Sequence, residues 1–125
     1  MRVVVVGPCA SGKSVLVEGL TRLGYDAQAC AQEHSYVPTM WQMDQPDMLV
    51  YLDATLATIC KRRGDDFPAT ELAAQQERLA DARQHCHLYL KTDDLNAKKV
   101  LRRVRRFVDK KVKRQESNVK LDHHV

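Results

Sequence analysis

Apolar and polar positions follow two rhythms along this chain, and the switches between them mark out strands and helices. Val3-Val4-Val5-Val6 is a β-branched run with no polar side, the pattern of a strand buried on both faces of a parallel sheet. Val15, Leu16, Gly19, Leu20 and Leu23 recur at helical spacing, which predicts a helix from about Gly12 to Leu23 with Gly24 as its stop. Tyr25 to Ala31 alternates Tyr25, Ala27 and Ala29 against Asp26, Gln28 and Cys30, as a strand with one polar face would. Met48-Leu49-Val50-Tyr51-Leu52 is the second fully apolar run, and it ends in Asp53. A helix is expected over Ala54 to Arg63, with Leu56, Ile59 and Cys60 inward. Thr70 is expected to cap one long helix reaching Cys86, with Leu72, Gln75 or Gln76, Leu79 and Ala82 as its inward stripe. His87-Leu88-Tyr89-Leu90-Lys91 is the last predicted strand. From Ala97, capped by Asn96, to about Lys113, a final helix carries Val100 or Leu101, Val104, Phe107 or Val108, and Val112 on one face.

Strands alternating with helices in this way predict an α/β fold, a three-layer α/β/α sandwich with about four parallel strands. Residues 1–114 form the expected domain, and residues 115–125, which lack periodicity, are expected to fray. Three connections stand out. Gln32-Glu33-His34-Ser35 falls at the carboxyl end of the second strand, where open α/β sheets bind ligands, and offers donors for a metal-bound water, a general base or an acceptor contact, or else a solvated loop. Tyr36 to Asp47 holds the one tryptophan, Trp41, either as a cover over a ligand or, more commonly, packed on the sheet. Gly64 to Ala69 is a loop of the kind that opens and closes as a lid.

Composition changes the picture in several respects. The 125 residues allow one domain, so any acceptor site must be built from short connections. Cys9, Cys30, Cys60 and Cys86 are scattered singly with no C-x-x-C pair and no secretory leader, which points to reduced thiols and a cytoplasmic protein. No apolar run approaches the roughly 20 residues of a membrane span. The net charge of +4 conceals an asymmetry: residues 1–95 carry nine Lys/Arg against thirteen Asp/Glu, and residues 96–125 eleven against three. The basic excess therefore belongs to the last helix, where a solvated face explains Arg102, Arg103, Arg105, Arg106, Lys110 and Lys111 better than nucleic acid or a membrane does. His85-Cys86-His87 straddles a helix-to-strand junction with no companion ligand pair, which argues against a metal there.

The strongest chemical signal is Gly7-Pro8-Cys9-Ala10-Ser11-Gly12-Lys13-Ser14, a complete G-x-x-x-x-G-K-[ST] loop placed between a strand and a helix. Gly7 and Gly12 let the backbone curl so that successive N–H groups point inward, and the following helix adds its positive end. Lys13 supplies a charge to the β- and γ-phosphates of a nucleotide, and Ser14 a hydroxyl to Mg²⁺. Asp53, at the end of an apolar strand, is by pattern the carboxylate that positions Mg²⁺ or its water. Lys61-Arg62-Arg63 closes the next helix, where guanidinium groups can balance charge on a transferring phosphoryl group or simply complement the helix end.

With these residues in place, the chain resembles the P-loop kinases of small metabolites and nucleotides, the group of adenylate, thymidylate, shikimate and dephospho-coenzyme A kinases. The resemblance rests on Gly7 to Ser14, on Leu49-Val50-Tyr51-Leu52-Asp53-Ala54 leading to Lys61-Arg62-Arg63, and on His87 to Leu95 before an amphipathic helix. It implies a P-loop NTPase fold, ATP (or GTP) with Mg²⁺, and a small-molecule phosphoryl acceptor. It also implies that Arg62 or Arg63, with Arg78, faces the phosphates, and that Glu33 rather than Asp53 serves Mg²⁺. The chain departs from these kinases between Tyr25 and Asp47, which lacks their further strand, acceptor-binding segment and D-R pair. GTPases fit less well, since no D-x-x-G and no N-K-x-D occurs. The expected activity is ATP-dependent phosphoryl transfer, with Lys13, Glu33, Asp53, Arg62, Arg63 and Arg78 as its candidate residues. The alternative is a nucleotide-binding switch or slow NTPase acting through a protein partner.

Overall fold

The two apolar runs pair with each other at the centre of one parallel sheet. The computed structural model describes the backbone of residues 1–123 and the side chains of residues 1–116. Strands β1 (Arg2–Val6), β2 (Asp26–Ala29), β3 (Met48–Asp53) and β4 (Leu88–Lys91) lie in the order β2-β1-β3-β4. Val3 to Val6 of β1 stand opposite Met48 to Tyr51 of β3. β2 and β4 occupy the edges. Because the chain runs outward from β1 to β2 and then returns past β1 to β3, the order reverses between β1 and β3. Open α/β sheets bind ligands outside the strand ends at such a point.

Alternate residues of the central strands serve two cores, which is why neither strand has a polar side. Val3, Val5, Met48, Val50 and Leu52 pack against Leu16 and Leu20 of α1 (Lys13–Arg22) and Val100, Val104 and Val108 of α5 (Ala97–His123). On the other face Val4, Val6, Leu49 and Tyr51 meet Cys30, Trp41, Leu79 and Ala82. Trp41 is thus a packing residue, seated by a 3₁₀ turn over Met40–Asp44. A third cluster joins Ala54, Ile59 of α2 (Leu56–Arg63), Phe67 and Leu72 of α3 (Ala69–Arg78).

Several boundaries differ from expectation. The predicted helix from Thr70 to Cys86 is two helices, α3 and α4 (Ala80–His85), divided by a turn at Leu79, whose φ of −91° and ψ of −4° lie at the edge of the right-handed helical region. Pro68, not Thr70, occupies the cap of α3; the fixed proline φ presets that entry without a side-chain hydrogen bond. The inward stripe of Leu72, Gln75, Leu79 and Ala82 survives the break. The final helix continues ten residues past Lys113 to His123, so the backbone of most of the expected tail is helical, and residues 124–125 lie outside the described residues. Asn96 caps this helix as expected, accepting from the Lys99 amide at 2.9 Å. The loop after Gly64, expected as a lid, is anchored by Phe67, which is buried in the third cluster and accepts at its carbonyl from the Cys60 thiol.

Candidate functional site

The connection from β1 to α1 leaves the sheet at the β1–β3 reversal and curls over its carboxyl end. Gly7 starts the curl against β3: a Cβ there would lie 2.1 Å from the Leu52 carbonyl oxygen, so only glycine fits. Gly12, at φ 105°, occupies the cap position of α1 in a conformation other residues rarely adopt. Between them the Ser11 amide donates to the Pro8 carbonyl at 3.3 Å, and Ala10 takes a left-handed φ of 57°. Ser11 is fully buried, and its hydroxyl has no partner. Ser14 lies exposed in the first turn of α1.

Lys13 folds back over the loop it follows. Its ammonium donates to the Gly7 and Pro8 carbonyls at 2.7 and 3.0 Å and pairs with Glu33 Oε2 at 2.6 Å. Both partners are almost buried, with side-chain exposures of 11% and 5%. Glu33 arrives from the sheet's other side because Gln32 pins its turn, Gln32–His34. The Gln32 amide nitrogen donates to the Val37 and Arg78 carbonyls, while its oxygen accepts from the Trp41 amide at 2.9 Å. Oε1 of Glu33 has no hydrogen-bond partner. Arg78 completes this side: its guanidinium donates to the Glu33 carbonyl at 3.1 Å, lies 3.6 Å from Glu71, and covers the Tyr36 ring at 5.0 Å.

Two further clamps hold the loop. The Cys9 amide donates to Gln75 Oε1 at 3.0 Å, and Gln75 Nε2 donates to Cys9 Sγ at 3.0 Å. From the opposite flank Arg62 donates to the Ala10 carbonyl at 2.8 Å and to the Thr92 carbonyl and hydroxyl oxygen, and the Thr92 hydroxyl donates to the Ser11 carbonyl at 2.8 Å. Beside this flank opens a cavity of about 500 Å³ whose walls include Gly12, Val15, Arg62, Leu95 and Asn96.

The structure therefore gathers Gly7, Pro8, Cys9, Ala10, Ser11, Gly12, Lys13, Glu33, Arg62 and Arg78 around one loop, with Ser14 at its rim. It leaves two candidates out. Asp53 is engaged locally, with Oδ1 accepting from the Ala54 amide and Oδ2 from the Tyr89 hydroxyl. Burial, and then the Asp53 bond, push the Tyr89 pKa up to about 12, so Tyr89 stays protonated and keeps donating. Arg63 pairs with Asp65 and lies over Phe67 at 4.9 Å. A tight turn after β3 and a neighbour two residues away intercept these groups, which strand and helix patterns cannot register.

Thr92 and Gln75 are the site residues that sequence reasoning missed; Cys9 and His34 stood among the candidates, as a loop residue and as part of the polar cluster after β2, but not as neighbours. Gln75 did leave a signal, a glutamine on an otherwise apolar stripe. The His85-Cys86-His87 run holds no metal-like cluster among the described residues; His85 reaches the Asp81 carbonyl, and His87 Nδ1 accepts from the Leu49 amide at 2.8 Å. Cys9 Sγ, a Glu33 carboxylate oxygen and a His34 ring nitrogen do lie within 4.8 Å of one another.

The fold and site define an α/β domain with a four-stranded parallel sheet and a lysine-bearing loop at its reversal point. No family model matches the chain, and no curated protein matches it. No described helix is long and apolar enough to cross a membrane.

Proposed function

We propose that this domain is a P-loop ATP-binding phosphotransferase that acts with Mg²⁺ on a small acceptor. The observation that carries this reading is the buried Lys13–Glu33 pair inside the curled Gly7–Ser14 loop. An ammonium held by two carbonyls and a carboxylate is placed to exchange them for phosphate oxygens, while the loop's backbone and the α1 N-terminus favour anions. The residues fit Mg²⁺, a hard cation that takes oxygen ligands, because Ser14 offers an exposed hydroxyl and Glu33 an unpartnered carboxylate oxygen. Asp53 fits less well, since both of its oxygens already accept bonds.

When bound, Mg²⁺ supplies charge neutralisation on the phosphate oxygens. The protein's own contributions are positional. Lys13 holds the β- and γ-phosphates, and Thr92 and Arg62 brace the loop that carries it. The cavity beside Arg62 receives the nucleoside. As the acceptor oxygen bonds to the γ-phosphorus and the bond to the β–γ bridging oxygen breaks, Glu33 accepts the acceptor's proton and Arg78 offsets charge on the transferring group. Calorimetry with ATP and GTP, with and without Mg²⁺, and then an acceptor screen, test the reading. The expected result is acceptor-dependent ATP consumption that Lys13→Ala abolishes; absence of nucleotide binding overturns it.

A second reading, a nucleotide-dependent switch, is favoured by the β2–β3 connection. That segment contains only 3₁₀ turns and exposes Tyr36, Val37 and Met43 at 87%, 57% and 79%, a surface suited to a protein partner. Nucleotide-dependent capture of a partner, with no transfer to any acceptor, would select this reading.

A further inference from the structure

We infer that Cys9, Glu33 and His34 form a binding site for a zinc-class divalent cation, and that its occupancy excludes nucleotide from the phosphate loop. The exclusion rests on the proposed function; the metal site does not. Three donors converge from two elements: Cys9 Sγ from the loop, and the Glu33 carboxylate and His34 imidazole from the turn after β2. Sγ and His34 Nε2 are 3.9 Å apart, and no pair of the three exceeds 4.8 Å. Tetrahedral zinc with bonds of about 2.0–2.3 Å places its ligands roughly 3.3–3.8 Å apart, so a contraction of about 1 Å closes the site. The half-buried Cys9 and exposed His34 side chains have room to supply it.

A second, independent observation points to a ligand here. Glu33 is 96% buried, yet its Oε1 has no partner, a costly arrangement unless something completes it. Lys13 takes only Oε2. Sulfur and imidazole donors select zinc over Mg²⁺, which wants oxygen. Gln75 Nε2, 3.0 Å from Sγ, donates to the sulfur, the second-sphere support that metal-bound sulfur commonly has. His34 faces solvent, leaving a fourth position for water. The Lys13 ammonium beside the carboxylate lowers the affinity for a cation, which suits a reversible regulator better than a permanent structural ion. Because the cation takes Cys9 of the loop and the Glu33 carboxylate that the proposed function assigns to Mg²⁺, the loop cannot carry it together with the Mg²⁺-bound nucleotide.

Co²⁺ titration followed by absorbance tests the site on the full chain. The expected spectrum has a thiolate-to-cobalt charge-transfer band and the d–d bands of tetrahedral cobalt, both abolished by Zn²⁺. Cys9→Ser should lose the charge-transfer band, and His34→Ala or His34→Gln should weaken Co²⁺ binding by about tenfold or more. Circular dichroism checks that each variant is folded. Absence of the band in the unmodified protein, or an unchanged titration in both His34 variants, overturns the site. For the exclusion, a fluorescent ATP analogue with Mg²⁺ is titrated at chelator-buffered free Zn²⁺, each protein being compared with its own zinc-free value. Zinc should weaken binding to the unmodified protein and not to the His34 variants. Zinc binding without that loss overturns the exclusion alone. Failure of the zinc-free protein to bind the analogue overturns the proposed function and leaves the cobalt result standing.

Discussion

The two faces of the sheet are closed by different physics. Under α1 and α5 the buried contact is apolar, with Val3, Val5, Leu16, Leu20, Val50 and Val104 at or near zero exposure. The opposite face has its own apolar patch around Trp41 and Tyr51, but its rim is sealed by buried polar groups: Gln32, Glu33 and Gln75, each at most 4% exposed. Apolar packing is non-directional and tolerates small shifts, whereas a buried amide or carboxylate must meet particular partners at fixed distances. The candidate chemistry collects where directional bonds do the closing. Gln32 sets the turn that delivers Glu33, and Gln75 holds Cys9.

That contrast can be broken at four points. The largest effect is expected for Lys13→Met, which leaves the Glu33 carboxylate buried and unpaired; the loss should be about 3–5 kcal/mol of stability at neutral pH, as measured by urea unfolding. The Lys13→Met, Glu33→Gln double variant should recover most of it, and failure to recover would show that the pair is not the cause. On the apolar face, Leu20→Ala should cost about 3 kcal/mol through lost transfer energy and a cavity. Leu20→Met, which conserves volume, should cost under about 1.5 kcal/mol there.

Gln32→Leu sharpens the comparison because it keeps size and removes directionality. It strands the Trp41 amide and the Val37 and Arg78 carbonyls, and should cost about 2 kcal/mol; under the proposed function it should also weaken nucleotide binding through a displaced Glu33. A Gln32→Leu protein as stable as the parent would mean that the polar face closes by packing after all. The smallest effect is expected away from both faces, at His87. Partial burial, and secondarily the Lys111 ammonium, hold its pKa below the ordinary histidine value, and its Nδ1 accepts from the Leu49 amide. A lowered folded pKa means the contribution is complete above the unfolded value of about 6.5 and is lost as pH falls below it. Discounted for solvent screening, the loss is under about 1 kcal/mol, and it should vanish from the pH profile of thermal unfolding in His87→Asn.

The apolar face was legible in the sequence and the polar face was not. Val3 to Val6, Met48 to Leu52 and the stripe through Val100, Val104 and Val108 announce their elements because burial repeats with the period of the backbone. The phosphate-loop pattern was legible for a similar reason: Gly7 and Gly12 answer local backbone demands. Glu33 and Arg78 were among the candidates, and they do converge. Asp53, which the strand pattern alone favoured, and Arg63, an alternative to Arg62, do not, because Tyr89, the Ala54 amide and Asp65 hold them.

Sequence alone determined the alternation of strands and helices apart from the break at Leu79, the parallel sheet and the lysine-bearing loop between β1 and α1, since each follows from local periodicity or from a motif of eight consecutive residues. Only the tertiary structure decided which carboxylate meets Lys13, that Thr92 and Gln75 clamp the loop from opposite flanks, and that Cys9 lies beside His34. These are contacts across 20 to 81 residues of chain, made by single directional groups. A lone polar side chain has no period, so its partner becomes visible only once packing has placed both ends of the bond.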